Sequence, residues 1–142
     1  MKTIADLMTR NVQVIGPDEP IQRAAQLMDE LNVGALPVCD GDLLLGMITD
    51  RDITVRATAA GLLPTQTRVA DAMSDQVHWC DEGDQASEVL QRMGESQIRR
   101  VPVLNKRMVL VGIVSLGDLA TRGNADVETA LRDISEPSEP VR

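Results

Sequence analysis

Ile4-Ala5-Asp6-Leu7-Met8-Thr9 is met again as Val69-Ala70-Asp71-Ala72-Met73-Ser74, an offset of 65 residues. Leu36-Pro37-Val38 returns at that offset as Val101-Pro102-Val103. After a one-residue insertion, Gly46-Met47-Ile48-Thr49-Asp50-Arg51-Asp52 returns as Gly112-Ile113-Val114-Ser115-Leu116-Gly117-Asp118, an offset of 66. Three matched stretches in one order mark a tandem duplication of a supersecondary unit, and such a unit cannot bury its apolar face alone. The function is therefore expected where the copies meet.

Outward from these anchors, both copies share one plan. Val12-Gln13-Val14 alternates like a short strand, and Pro17-Asp18-Glu19-Pro20 ends it, with Asp18 or Glu19 near a helix start. Ile21, Ala24, Ala25, Met28 and Leu31 recur at helical spacing, which predicts a helix over about 20–32. Gly34 to Cys39 reads as a buried strand, Asp40-Gly41-Asp42 as a tight turn, and Leu43 to Ile48 as the next strand. Asp52 begins a second helix that ends near Gly61. In the second copy Val77-His78-Trp79 is the strand, and Ala86, Val89, Leu90 and Met93 form the helical stripe. Val101–Leu104 and Met108–Val114 make the hairpin, and Asp118 opens the last helix of the repeat. The predicted order is β-α-β-β-α, twice, in an α/β (α+β) chain. Repeat 1 spans residues 1–63 and repeat 2 residues 64–124, with Leu62 to Thr67 as the connector. Val127, Ala130, Leu131 and Ile134 predict a C-terminal helix over 125–134, followed by a frayed, Pro-rich acidic tail over 135–142.

Composition removes several classes of function. The 142 residues carry 14 basic and 22 acidic side chains, a net charge of −8, and no basic face of the kind that nucleic acid requires. Trp79 is the only aromatic residue, so there is no base-stacking platform for single strands. Met1-Lys2-Thr3-Ile4-Ala5-Asp6 meets an acid before an apolar stretch can form, unlike a signal peptide, and no run reaches the length of a membrane span. The two cysteines, Cys39 and Cys80, have no metal-ligand spacing and read as small buried apolar residues. A cytoplasmic protein without nucleic-acid or membrane partners is expected, with an aliphatic, Met-rich core in which six methionines (Met8, Met28, Met47, Met73, Met93, Met108) are mainly filler.

The positions richest in chemistry are Thr49-Asp50-Arg51-Asp52 and Ser115-Leu116-Gly117-Asp118. Each follows a strand, and each sets an Asp three residues after a hydroxyl, where a helix starts. The hydroxyl can reach a phosphate oxygen, and the carboxylate can accept both hydroxyls of a ribose. Thr/Ser and Asp can equally serve as helix caps. Repetition at matched positions favours a ligand. A catalytic reading finds little to stand on. Asp42, Asp50 and Asp52 are possible Mg²⁺ ligands for a nucleotide-hydrolysing enzyme, but no nucleophile–base pair is present, and Asp50 is matched by Leu116. His78 is the only histidine, without a metal or nucleophile partner in sequence. Trp79, by strand alternation, should face away from it. A structural interaction module with degenerate clefts is the remaining alternative.

In these features the chain resembles the cystathionine β-synthase-type (CBS) domain pair, or Bateman module, here as a stand-alone bacterial module. The resemblance covers about residues 3–122 and rests on the Asp-Leu-Met-Thr and Asp-Ala-Met-Ser openings, the two Pro-Val strands and the Gly-x-x-Thr/Ser-x-x-Asp ends. It implies a body of pseudo-two-fold symmetry with two clefts for adenosine nucleotides. In cleft A, Thr49 would take the phosphate and Asp52 the ribose. Met47, Val77, His78 and Ile98 would wall the adenine, Arg99 and Arg100 would meet phosphate before Val101-Pro102-Val103, and Arg51 and Pro102 are further cleft A candidates. Cleft B would use Ser115 and Asp118, with Val12, Gln13, Val33 and Ile113 around the base and with Gly34 and Pro37 as further cleft residues. The counterparts of Arg99, Arg100 and Arg51 there are Gly34, Ala35 and Gly117, so cleft A should prefer phosphorylated ligands. The implied role is a non-catalytic energy or metabolite sensor in signal transduction. It would bind AMP, ADP or ATP, with NAD or S-adenosylmethionine as further candidates, and would require no cofactor or metal. A homodimer and an effector protein acted on in trans are the implied partners.

Overall fold

The structure, a computed structural model, describes residues 2–122. In chain order its elements are α1 (Ile4–Leu7), α2 (Ile21–Leu31), β1 (Ala35–Asp40), β2 (Leu43–Thr49) and α3 (Asp50–Asp52), which runs into a π-helical stretch, Ile53–Thr58. There follow α4 (Val69–Ala72), β3 (Cys80–Asp81), α5 (Ala86–Ser96), β4 (Arg100–Leu104), β5 (Leu110–Ser115) and α6 (Leu116–Arg122). Helices and small sheets alternate, as the α+β reading requires. The helix expected over 125–134 and the tail over 135–142 lie outside the described residues.

The chain forms two compact units. Among the described residues, one comprises residues 13–77 and the other residues 2–12 together with 78–122. In the 13–77 unit, α2 buries Ile21, Ala24, Leu27 and Met28. These meet Leu36, Val38 and Ile48 of an antiparallel β1–β2 hairpin, and Ala57, Val69 and Ala72 complete the core. Leu27 takes the place that the sequence pattern gave to Ala25 and Leu31. Ala25 is exposed and Leu31 is 45% exposed, because the buried arc is centred on the 21–24–28 row and Leu31 is the last residue of the helix. In the other unit β3 runs parallel to β4, which pairs antiparallel with β5. Val89, Leu90 and Met93 of α5 are buried with Ile4, Leu7, Val101, Val103, Val114 and Leu119. Both long helices stop on a left-handed residue, Asn32 (φ 54°) and Gln97 (φ 56°), so the duplication persists in the backbone.

Three local expectations are corrected. Val12-Gln13-Val14 forms no strand; contact with the hairpin is made by Ile15, in a single parallel bridge to Val38. Asn11 just before it is left-handed (φ 57°), which breaks an extended run. Likewise the strand expected at Val77-His78-Trp79 begins only at Cys80. The helix expected from Asp52 to Gly61 starts at Asp50 and is π-helical from Ile53 to Thr58, with Ala59 N–H and Leu62 N–H reaching back five residues to Thr54 O and Ala57 O (both 2.9 Å). Ile53-Thr54-Val55 is a β-branched run that fits an α-helix poorly, and the Thr54 hydroxyl donates to the Asp50 carbonyl at 3.0 Å. The second copy has Leu119-Ala120 there and stays α-helical.

The units do not follow the sequence repeat. The opening of repeat 1, Ile4 to Thr9, lies in the unit built by repeat 2, and the opening of repeat 2, Val69 to Ser74, lies in the unit built by repeat 1. Each opening makes a reciprocal pair of backbone bonds with the final strand of the hairpin it visits. Met47 N–H donates to Ser74 O at 3.0 Å and Ser74 N–H to Met47 O at 2.9 Å; Thr9 N–H donates to Ile113 O at 2.8 Å and Ile113 N–H to Thr9 O at 3.0 Å. The residues just before the opening segments also serve the long helices, which have no side-chain caps. Ile21 N–H donates to Thr67 O at 2.9 Å, and Ala86 N–H to Lys2 O at 3.3 Å. Glycine makes the approach possible. A Cβ on Gly46 would collide with the Ser74 carbonyl oxygen, and one on Gly112 would stand 2.7 Å from both Thr9 O and Met8 Sδ.

Gly112→Ala is therefore expected to cost about 1–3 kcal/mol through overpacking against backbone that is itself hydrogen-bonded. The measurement is urea unfolding at constant m-value, with Gly41→Ala, whose Cβ would meet nothing within 4 Å but which has φ 58°, as a control for left-handed strain alone. A Gly112→Ala protein as stable as the wild type would show that the opening segment is not held as described.

Candidate functional site

Both Thr/Ser–Asp motifs close into reciprocal capping boxes. Thr49 Oγ1 accepts from Asp52 N–H at 3.0 Å, and Asp52 Oδ2 accepts from Thr49 N–H at 3.0 Å. Ser115 Oγ accepts from Asp118 N–H at 3.0 Å, and Asp118 Oδ2 accepts from Ser115 N–H at 2.9 Å. Capping thus holds at both sites, and it does not use up the chemistry. Each hydroxyl oxygen serves as an acceptor and keeps its own O–H to donate, and each carboxylate retains its Oδ1 lone pairs. All four residues are half-buried, so the boxes are fixed yet reachable.

The residues assigned to cleft A divide between the units. Met47, Thr49, Arg51, Asp52 and Val77 belong to the 13–77 unit, while His78, Ile98, Arg99, Arg100 and Pro102 belong to the other. Those of cleft B divide the opposite way: Gln13, Val33, Gly34 and Pro37 in the 13–77 unit, Val12, Ile113, Ser115 and Asp118 in its counterpart. Within each unit the register brings particular residues together. Pro37 is opposite Met47 and Ala35 opposite Thr49; Pro102 is opposite Ile113 and Arg100 opposite Ser115. Opposed residues share a sheet face, so Arg100 is on the same face as Ser115, a neighbour that the sequence assignment gave to the other cleft. Arg99 accepts the Leu116 N–H at its carbonyl (2.8 Å), as Gly34 accepts that of Asp50 (3.0 Å). Pro37 and Pro102 are buried; Arg51, His78, Arg99 and Arg100 are exposed.

One residue of interest, Trp79, is placed differently from the sequence reading, and another, Arg56, escaped it. Trp79 lines a shallow depression of its own unit with His78, Arg92, Ser96, Ile98 and Val101, and is 41% exposed. Alternation placed it away from His78, but alternation holds only inside a strand, and β3 starts one residue later. Arg56 stands at i+4 from Asp52, with its Nε 3.8 Å from Asp52 Oδ1. The Asp–x–x–x–Arg spacing was the available signal.

With this geometry in view, the family model for the CBS domain matches twice, over residues 4–57 and 69–125. The chain belongs to the CBS-domain family and carries two repeats. Among its relatives, CBS domain-containing protein YhcV of Bacillus subtilis (strain 168) is 42% identical over 137 residues, 95% of this chain and 96% of that one. Hypoxic response protein 1 of Mycobacterium tuberculosis (strain H37Rv) is 42% identical over 121 residues, 84% of each chain. A crystal structure of hypoxic response protein I with two coordinated zinc ions matches with a TM-score of 0.78 at 41% identity, over 86% of this chain and 99% of that one. CBSX2, crystallised in complex with AMP, matches with a TM-score of 0.76 at 25% identity, over 86% and 96% of the two chains. The chain is thus a CBS pair, a class of module that is generally regulatory. Among the described residues no helix is long and apolar enough to cross a membrane.

The zinc ions of that relative direct attention to the thiols. Among the described residues, no group of three or more His, Cys, Asp or Glu side chains is placed to hold a metal. Cys39 and Cys80 are free, buried, and in different units. Burial, helped by Asp42, raises the Cys39 pKa; burial pushes the Cys80 thiol from 9.0 up to about 12, against an opposing pull from Arg92 and with the help of Asp84 and Asp81. A thiol held above its unfolded value disfavours the folded state once the unfolded chain can ionise. Stability is accordingly expected to be intact below pH 9 and to fall as the pH rises toward 12. Cys80→Ala should flatten that alkaline limb in urea titrations. In a thiol-reagent assay at pH 8, both cysteines should react only after unfolding. Rapid labelling of the native protein would contradict their burial.

Proposed function

We propose that this CBS pair is a non-catalytic sensor that binds an adenosine nucleotide, AMP, ADP or ATP, through its two Thr/Ser–Asp boxes. The carrying observation is that both boxes present the same half-buried hydroxyl and carboxylate, the pair a nucleotide's phosphate and ribose diol would engage. The AMP complex of CBSX2 supports the choice of ligand class. In cleft A, Thr49 would meet phosphate, Asp52 the ribose, and Met47, Val77, His78 and Ile98 the base, with Arg51, Arg99 and Arg100 supplying cations and Pro102 shape. Cleft B, with Ser115 and Asp118, with Val12, Gln13, Val33 and Ile113 around the base and with Gly34 and Pro37 beside them, would be the weaker anion site. NAD and S-adenosylmethionine share the adenosine end and belong to the same trial. Occupation would shift a population of conformers that a partner in the cytoplasm reads, the module acting as a homodimer.

The register of β4 and β5 favours a second assignment of the cations. Arg100 shares a face with Ser115, so Arg100 would serve the Ser115–Asp118 box instead, shifting phosphate preference toward cleft B. Calorimetric titration of AMP, ATP and adenosine decides between the two. Asp52→Asn and Asp118→Asn keep an acceptor for the cap and remove the charge, so each reports ligand contact more than stability. Under the first assignment, Asp52→Asn combined with Arg100→Ala is non-additive by about 0.5–3 kcal/mol, and Asp118→Asn is additive with it; under the second the pattern inverts. Binding that none of these variants changes would sink the proposed site, and turnover of ATP lost in Asp52→Asn would replace the sensor with an enzyme.

A further inference from the structure

The carboxylate of Asp52 is held from two directions. Its Oδ2 accepts the Thr49 N–H at 3.0 Å, and its Oδ1 faces the Arg56 guanidinium, with Nε at 3.8 Å. The same guanidinium reaches further: Arg56 Nη1 donates to the Met73 carbonyl at 2.9 Å. Met73 precedes Ser74, the residue that exchanges two backbone bonds with Met47 next to the Thr49 box. Arg56 therefore has one hand on the carboxylate of repeat 1 and the other on the opening segment of repeat 2. All of these residues lie within the 13–77 unit.

The local helix geometry sets this up. Arg56 sits in the π-helical stretch, whose wider turn is bounded by the Thr54 hydroxyl on the Asp50 carbonyl and by the five-residue bonds from Ala59 and Leu62. π-Helical turns recur at functional sites because they re-aim a side chain without breaking the helix. The Asp52 side chain is only 16% exposed, whereas that of Arg56 is 52% exposed. An ion pair so open to water adds little stability; its value is geometric. The bond from the charged donor to Met73 O is the firmer of the two contacts.

We propose that Arg56 is a positioning residue: it orients the Asp52 carboxylate toward a vicinal diol and couples the occupancy of that carboxylate to the Met73-Ser74 segment. The diol rests on the nucleotide reading above; the coupling does not. Through this link, a ligand bound at the first repeat would tighten the start of the second, giving the sensor a physical path between its copies.

Two measurements test it. Calorimetric titration with AMP and with 2′,3′-dideoxy-AMP asks whether Arg56 acts on the diol. Arg56→Ala is expected to weaken AMP about fivefold, the upper end for an exposed ion pair, to leave the dideoxy analogue unchanged, and to be partly rescued by Arg56→Lys. Equal losses for the two nucleotides would mean general support of the fold and would overturn the positioning role. Amide hydrogen exchange of the ligand-free protein tests the coupling. Arg56→Ala should accelerate exchange of the Ser74 N–H, Asp52→Asn should do so less, and the double variant should match Arg56→Ala alone. Additive acceleration would overturn the link. If the wild-type protein takes up neither nucleotide, the nucleotide reading and the diol role fall together, while the exchange cycle still decides whether Arg56 joins Asp52 to the segment.

Discussion

Two glycines, Gly46 and Gly112, let a foreign segment lie directly on the last strand of each hairpin, and the rest of the molecule depends on that contact. With any side chain there, the carbonyl of Ser74 or Thr9 would have to move away, and the reciprocal bonds to Met47 and Ile113 would break. Those segments also hold residues that fill each core: Val69 and Ala72 in one unit, Ile4, Leu7 and Met8 in the other. The residues two positions before them cap α2 and α5 through Thr67 O and Lys2 O. Close approach and core filling are thus performed by a six-residue motif that neither repeat uses on itself, and the carbonyl two residues before it supplies the cap.

The same contact places the chemistry. β2 and β5 each run from the glycine to a hydroxyl residue, Thr49 or Ser115, in three steps. A strand pinned at its glycine has little freedom at its end, so the capping box that follows is fixed in position. Ligand-type groups are held by backbone geometry and need no buried ion pair. This suits a module whose net charge is −8 and whose candidate cations, Arg51, Arg99 and Arg100, are all exposed.

The sequence made the duplication, the α2 and α5 helices and both hairpins legible, because periodicity and matched motifs are local signals. It also identified both hydroxyl–carboxylate pairs. It did not reveal that Ile4–Thr9 and Val69–Ser74 serve the opposite copy, since a repeat offset says which stretches are alike and nothing about which ones touch. The first strand of each copy was overestimated from three alternating residues, where left-handed Asn11 and a late start at Cys80 prevailed. The π-helical turn was hidden because a β-branched run lowers helix propensity without saying what replaces it. Arg56 was visible as an i+4 partner of Asp52, but its bond to Met73 O spans 17 residues and belongs to tertiary structure.

The exchange of opening segments also redefines what counts as one piece of this protein. The duplicated stretch begins at residue 4 or 69, yet the continuous chain that carries its own cap, core and hairpin runs from 13 to 77. A fragment cut at the repeat boundary would leave each half with an opening segment suited to its sister and a bare glycine strand of its own. Two such halves would complete one another only by trading ends, as a domain-swapped pair does. Because both copies lie on one chain, each exchanged segment is always present in equal number with the strand it completes.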